Sequence, residues 1–166
     1  MKIYVASSWR CIHQPGVVMR LRLAGHDVYD FRNPVEGDTG FNWREIDYPD
    51  QYIQALELSQ KGFEHDMSAL REANATILVM PCGRGAHLKL GMAIDKQKTA
   101  VLLESKQSYH IRLAAAGHKP MACQACEGVG NCTLWDAPWF EPELMLKAAD
   151  LITDDIEEIV SWRGAK

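Results

Sequence analysis

The 166-residue sequence has no long apolar run and no excess of positive charge. Its longest purely apolar stretches are a few residues, far short of the roughly 20 that a membrane-spanning helix needs. The amino-terminal segment passes from Ala6 directly into Ser7, Ser8 and Arg10, so the apolar stretch of a signal peptide is missing. We therefore expect a cytoplasmic protein. Low-complexity tracts and internal repeats are also absent.

The charge balance argues against a polyanionic partner. Eighteen Lys and Arg residues against 22 Asp and Glu residues give a formal net charge of -4. Nothing in that balance would draw the whole protein to nucleic acid or to an anionic membrane. A phosphate on a small-molecule ligand would have to be held by local donors. The length and the ordinary content of 47% hydrophobic residues predict one globular domain over residues 1–166.

Short apolar runs alternate with segments of helical spacing. The runs that predict strands are residues 3–6, 27–30, 76–80, 100–103 and 151–152. The segments that predict helices are residues 17–23, 52–73 with a break at Gly62, 87–96, 141–149 and 154–162. This alternation is typical of an α/β fold, here a doubly wound (flavodoxin/Rossmann-like) parallel sheet with helices on both faces. Ligands of such sheets bind beyond the carboxyl ends of the strands.

Several stretches resemble the nucleoside 2-deoxyribosyltransferase-like family of bacteria and phages, which is related to 2'-deoxynucleoside 5'-phosphate N-hydrolases. The matching stretches are MKIYVASSWR at 1–10, QP at 14–15, GHDVYDFRNP at 25–34, FNW at 41–43, Gly62-Phe63 with Asp66, PCGRGAHL at 81–88 and PELM at 142–145. Only about 109–139 falls outside the resemblance. The resemblance implies an enzyme of nucleotide metabolism, a transferase or hydrolase that acts on the N-glycosidic bond without a cofactor. It also implies a homodimer or larger homo-oligomer.

The resemblance also implies which residues form the site. Asp66 matches the family carboxylate that acts on the sugar hydroxyls or helps the base leave. Tyr4 lines the sugar or phosphate pocket and is grouped with Asp66 as a catalytic residue. The backbone amides of Gly83 and Gly85, at a predicted helix start, suit an anionic 5'-group. The remaining residues that we expect to contact the sugar, the phosphate or the base are Ser8, Arg10, Trp43 and His87.

Lys89 departs from the family pattern. The family carries a catalytic glutamate two residues before a helix glycine, and this chain has Lys89 before Gly91. A carboxylate stabilises or attacks the oxocarbenium-like sugar, whereas an ammonium repels it. At an effective dielectric constant of ~20 and a separation of ~4 Å, replacing this attraction by repulsion changes the interaction energy with the sugar by several kcal/mol. That free energy corresponds to orders of magnitude in rate. The chain could be an inactivated variant, a natural binding-only relative or a catalyst that uses another carboxylate. A Lys89 nucleophile that opens the sugar through a Schiff base is a further alternative.

Three functions therefore stay open from the sequence. The first is cleavage or transfer at the N-glycosidic bond of a 2'-deoxyribonucleoside or its 5'-monophosphate, impaired by Lys89. The second is nucleotide binding without catalysis, and the third is hydrolysis of the nicotinamide bond of NAD. Each site residue also has a structural interpretation. Tyr4 could belong to the core, Asp66 could be a solvated helix carboxylate, and Phe41 or Trp43 could anchor a loop instead of stacking on a base.

The segment at about 109–139 carries a separate set of candidate metal ligands. Their residue types suit a tetrahedral structural zinc site, and the segment has little apolar content of its own. The alternative is free thiols on a loop, because isolated Cys-x-x-Cys pairs are common. The four candidate ligands are His118, Cys123, Cys126 and Cys132.

If these four residues bind zinc, the purified protein should contain about one zinc ion per chain. Cys126→Ser should lose the metal, because one missing thiolate weakens the whole site. The parallel sheet should stay folded on its own core, while the segment becomes sensitive to protease. Elemental analysis that finds no zinc in protein purified without chelator would contradict the prediction.

Overall fold

The computed structural model describes residues 1–35, 37–42, 52–105, 108 and 144–162, apart from the side chains of 52–55, 58, 144 and 145. Five predicted site residues lie outside the described residues, and their roles stay predictions: Trp43, His118, Cys123, Cys126 and Cys132. The segment at 109–139 lies outside them as well.

Strands and helices alternate along the described chain. The strands are β1 (Lys2–Ala6), β2 (Asp27–Tyr29), β3 (Ala75–Val79), β4 (Lys98–Leu102) and β5 (Leu151–Thr153). The helices are α1 (Gln14–Leu23), α2 (Tyr52–Glu72), α3 (Arg84–Ala93) and α4 (Ile156–Ser161), with a 3₁₀ helix at Leu144–Ala148.

The strands form one parallel sheet in the order β2-β1-β3-β4-β5. The central strand β3 is buried at every position, as its uninterrupted apolar run predicts. The predicted doubly wound α/β sheet is confirmed. Within the described residues, no helix is both long enough and apolar enough to cross a membrane.

Alternation along β1 divides the core between the two faces of the sheet. Ile3 and Val5 pack with α1 and α4, whereas Tyr4 and Ala6 pack with α2 and α3. Burial of each large apolar side chain in these layers stabilises the fold by about 1.5–3 kcal/mol. The face that carries α2 and α3 also carries the candidate site.

The predicted helix break at Gly62 is wrong, because α2 runs without interruption through this residue. A Cβ atom at position 62 would lie 2.7 Å from the Cβ of Phe41. Glycine thus lets the loop after β2 approach the helix closely, and the surrounding helix tolerates the cost of about 1 kcal/mol.

Two other boundaries differ from the sequence prediction. Helix α3 begins at Arg84, before the predicted start at residue 87, because Gly83 is extended and already occupies the N-cap. The predicted helix at 141–149 is a 3₁₀ helix over Leu144–Ala148 in its described part.

The loop after β2 contains two glycines with left-handed backbone, which allow a matched comparison. Gly37 has φ +82° and open space around its Cβ position, whereas a Cβ at Gly40 (φ +72°) would lie 2.1 Å from the Phe31 carbonyl oxygen. We expect Gly37→Ala to cost about 1–2 kcal/mol of stability through its backbone alone. Gly40→Ala should cost about 1–3 kcal/mol more, because a backbone oxygen cannot easily move aside. Urea unfolding of both variants measures the difference, and equal losses would contradict the expected contact.

Candidate functional site

A pocket of about 1030 Å³ opens at the carboxyl ends of β1, β2 and β3. Helices α1 and α3 leave neighbouring strands on opposite faces of the sheet there, so the pocket occupies the switch point of the fold. Six of the predicted site residues line it: Ser8, Arg10, Asp66, Gly83, Gly85 and Lys89. They are carried by the β1–α1 segment (residues 7–13), by α2 and by α3 with its N-cap.

Asp66 is held from two sides. The Tyr29 hydroxyl donates to its Oδ1 at 3.0 Å, and the Lys89 Nζ donates directly to its Oδ2 in an ion pair. Burial, and then the negative charge of Asp66, raises the pKa of Tyr29 well above its usual range. Tyr29 therefore stays protonated and remains a hydrogen-bond donor to Asp66.

Lys89 occupies the pocket beside Asp66 and above an aromatic ring. Its Nζ lies 5.4 Å from the centroid of the Tyr4 ring, within the range of a cation–π contact. The side chains of Lys89 and Asp66 are 25% and 21% exposed, so both reach the pocket. Ion pairs in contact with solvent contribute only about 0–1 kcal/mol. A ligand can therefore separate this pair at modest cost.

Tyr4 lies beneath the pocket instead of on its surface. The residue is fully buried and stacks on Tyr29 with ring centroids 5.2 Å apart. Its hydroxyl has no hydrogen-bond partner among the described residues. Burial, and then the charge of Asp66, raises the pKa of Tyr4 well above its usual range, so the hydroxyl is neutral. A direct substrate contact by Tyr4 stays a prediction, since the described pocket lining does not include it.

Arg32, which the sequence analysis did not single out, shapes the β1–α1 segment. One guanidinium nitrogen donates to the carbonyl oxygens of Ser8, Trp9 and Cys11 at 3.0, 3.2 and 2.8 Å. The Asp30 carboxylate accepts from the Arg32 amide at 3.0 Å. The signal was present in the sequence, because Arg32 belongs to the stretch at 25–34 that carries the resemblance.

Three aromatic side chains form one wall of the pocket. The Trp9 indole donates to the Phe41 carbonyl oxygen at 2.9 Å, and its ring meets Phe31 edge-on with centroids 5.5 Å apart. Phe41 also packs against Gly62 of α2. Phe41 thus anchors its loop while it lines the pocket.

Asp38 fixes the same loop to α2 at the rim. It accepts from the Gly40 amide at 2.9 Å and lies 3.5 Å from Lys61 Nζ and 3.9 Å from His65 Nδ1. The Gly40 amide, supported by Lys61, lowers the pKa of Asp38. This carboxylate therefore stays ionised and paired.

The described lining carries more positive than negative charge. Its three cationic side chains are Arg10, Lys61 and Lys89, and its two anionic ones are Asp38 and Asp66. With His65 neutral, the difference is one positive charge in a chain whose net charge is -4. The local balance favours an anionic ligand.

His87 is placed beside the β3–α3 turn and not among the described lining residues. Its Nδ1 lies 3.1 Å from the Gly83 carbonyl oxygen and 3.5 Å from the Cys82 Sγ. These contacts suit a residue that supports the turn. The part of the chain that the structure describes contains no cluster of three or more His, Cys, Asp or Glu side chains fit to hold a metal ion.

A second cavity of about 350 Å³ lies on the other face of the sheet, between α1 and α4. His13 and the buried Glu104 face it, with Nε2 and Oε1 3.4 Å apart. The sheet separates it from Asp66 and Lys89, so we assign the candidate site to the larger pocket.

No family model matches the sequence, and no curated protein sequence matches it. Among solved structures, the chain is similar to a 2-deoxyribosyltransferase from the psychrotolerant bacterium Bacillus psychrosaccharolyticus. The TM-score is 0.59 at 14% sequence identity, over 98% of this chain and 92% of that one. At this identity the likeness concerns the fold, and it extends over almost the whole length of both proteins. The chain therefore has a nucleoside 2-deoxyribosyltransferase-like fold.

Proposed function

We propose that this chain binds a 2'-deoxyribonucleoside or its 5'-monophosphate, and that Lys89 prevents carboxylate-dependent cleavage of the N-glycosidic bond. The observation that carries the proposal is the direct ion pair between Lys89 and Asp66 inside the pocket. The pair occupies the place where the family resemblance implies two carboxylates. The ammonium group of Lys89 makes the charge of the pocket unsuited to an oxocarbenium-like sugar.

The pocket supports a nucleotide ligand in size and in charge. Its volume of about 1030 Å³ is at the upper end of the range for small-molecule sites. The excess of positive charge, Arg10 and the amino end of α3 at Gly83 suit a 5'-phosphate. The aromatic wall at Trp9 and Phe41 offers an apolar surface for a base.

The electrostatics argue against efficient cleavage. Among the described lining residues, both carboxylates are paired with lysines, Asp66 with Lys89 and Asp38 with Lys61. A developing positive charge on the sugar would meet the ammonium group of Lys89 beside the carboxylate of Asp66. Removal of that repulsion should restore transition-state stabilisation.

Residual N-glycosidic cleavage or transfer is the second candidate function, and the orientation of Asp66 favours it. The Tyr29 hydroxyl fixes Oδ1 while Oδ2 faces the pocket through a pair that solvent reaches. If a bound sugar displaces Lys89, Asp66 could act on the sugar without a second carboxylate. Slow release of base from the wild-type protein would support this candidate.

Lys89→Glu should create or raise base release by about two orders of magnitude or more, since the substitution restores several kcal/mol of electrostatic stabilisation. The new carboxylate would lie beside Asp66, and the repulsion would raise the pKa of one of the pair. That group could then protonate the departing base. Chromatography of free base after incubation with a panel of deoxynucleosides and their 5'-monophosphates measures the effect.

Lys89→Gln is the matched control, because it removes the cation without adding a carboxylate. It should bind the same ligands and release little base. Wild-type turnover equal to that of Lys89→Glu would contradict the claim that Lys89 impairs catalysis.

Asp66→Asn separates a ligand role from a structural one. The amide is nearly isosteric and removes an ion pair worth about 0–1 kcal/mol, so the melting temperature should change by only a few degrees. Calorimetric titration with the deoxynucleotide that binds the wild type most tightly should show weaker binding. A large loss of stability with unchanged binding would show instead that Asp66 is structural.

A further inference from the structure

We propose that the amine of Lys89 forms a reversible imine with the aldehyde of an open-chain 2-deoxypentose or its 5-phosphate. The inference rests on the proposed function, because the same pocket must accept the sugar. It gives Lys89 a chemical role of its own. The aldehyde is the sugar that hydrolysis of a 2'-deoxynucleoside or 2'-deoxynucleotide releases, so a reaction of that class would supply the ligand.

The surroundings of Lys89 match what imine formation requires. A protonated lysine must pass its proton to a neighbouring group before it attacks, and a pocket must hold the carbonyl carbon against the amine. Asp66 Oδ2 is in direct contact with Nζ, and the Tyr29 hydroxyl fixes the other oxygen of Asp66 at 3.0 Å. The 25% exposure of Lys89 leaves the amine open to the pocket.

The steps balance without an oxidant or a reductant. Lys89 transfers a proton to Asp66, and the free amine attacks C1 of the aldehyde. The carbon–nitrogen bond forms as the carbonyl electron pair moves to oxygen, and this oxygen takes up the proton that the nitrogen loses, which gives a carbinolamine. That hydroxyl leaves as water with the proton returned by Asp66, and the nitrogen lone pair completes the C=N bond. The sum is aldehyde plus ammonium giving protonated imine plus water.

The other lysines with described ion pairs lack this arrangement. Lys61 sits at the pocket rim, 66% exposed, with Asp38 3.5 Å away. Lys2 lies at the amino end of β1, far from the pocket, 55% exposed and paired with Glu72 at 3.2 Å. Random reaction with an aldehyde would favour such exposed lysines over Lys89. Selective reaction at Lys89 would therefore show that the pocket, and not solvent exposure, directs the reaction.

Reductive trapping on the full chain tests the proposal. The protein is incubated briefly with 2-deoxyribose 5-phosphate and sodium cyanoborohydride, which reduces imines in preference to aldehydes. Intact mass should show the addition of one reduced sugar, and peptide mapping should place it on Lys89. Because the pocket holds amine and carbonyl together, Lys89 should react at least about tenfold faster than Lys2.

Three variants complete the test. Lys89→Arg should abolish the single addition, Lys2→Arg should leave it unchanged, and Asp66→Asn should slow it by about tenfold or more, through loss of the proton acceptor. Asp66→Asn keeps Lys89 and thus tests the mechanism even if Lys89→Arg folds poorly. The inference would be overturned if the adducts were spread over exposed lysines. It would also be overturned if the adduct formed at the same rate in the wild type and in Asp66→Asn.

The two proposals fail separately. Deoxynucleotide binding in calorimetry without adduct on Lys89 would overturn the imine and leave the proposed function intact. An adduct on Lys89 that a 2'-deoxynucleoside 5'-monophosphate does not suppress would support the imine and count against nucleotide binding in the same pocket.

Discussion

The parallel pairing of β1 with β3 is the constraint on which the rest of this structure depends. The register of Ile3 with Ala75 through Ala6 with Leu78 brings the carboxyl ends of two apolar strands side by side. The chain leaves β1 toward one face of the sheet and β3 toward the other. Among the described residues, no helix covers the space between these exits, and the pocket forms there. Segments distant in sequence meet in it as a result.

Within that pocket, different residues determine the positions of the side chains and the net charge of the site. Tyr29 and the packing of α2 fix Asp66, and α3 carries position 89 opposite it. A glutamate at position 89 would make this a pair of like charges, whereas Lys89 makes it a neutral ion pair. The residue at position 89 alone therefore determines whether the pair with Asp66 is neutral or negatively charged.

The sequence predicted the fold well because its signals are local. The apolar run of β3 and the helical spacing of α1 each depend on neighbouring residues only. Gly62 was misjudged because its reason lies in Phe41, on another element. The stretch at 25–34 marked Arg32 as part of the resemblance, but its contacts with three carbonyl groups depend on the distant β1–α1 segment and could not be predicted from neighbouring residues.

The candidate site shows the same limit. The resemblance identified residues that gather at one pocket, yet it did not distinguish lining from support. Strand alternation places Tyr4 on the face of α2 and α3, but the depth of its ring under Tyr29 depends on tertiary packing. His87 lies in the first turn of α3, and only the turn at Cys82 and Gly83 determines where its ring lies.

The contact between Phe41 and Gly62 has a consequence for how this protein can evolve. Any side chain at position 62 would push against Phe41, so a substitution there is tolerated only together with a smaller residue at position 41. Since Phe41 also receives the Trp9 hydrogen bond, that second change would loosen the aromatic wall. Positions 41 and 62 should therefore vary together among relatives. The distance between the loop after β2 and helix α2 should change only when both positions change.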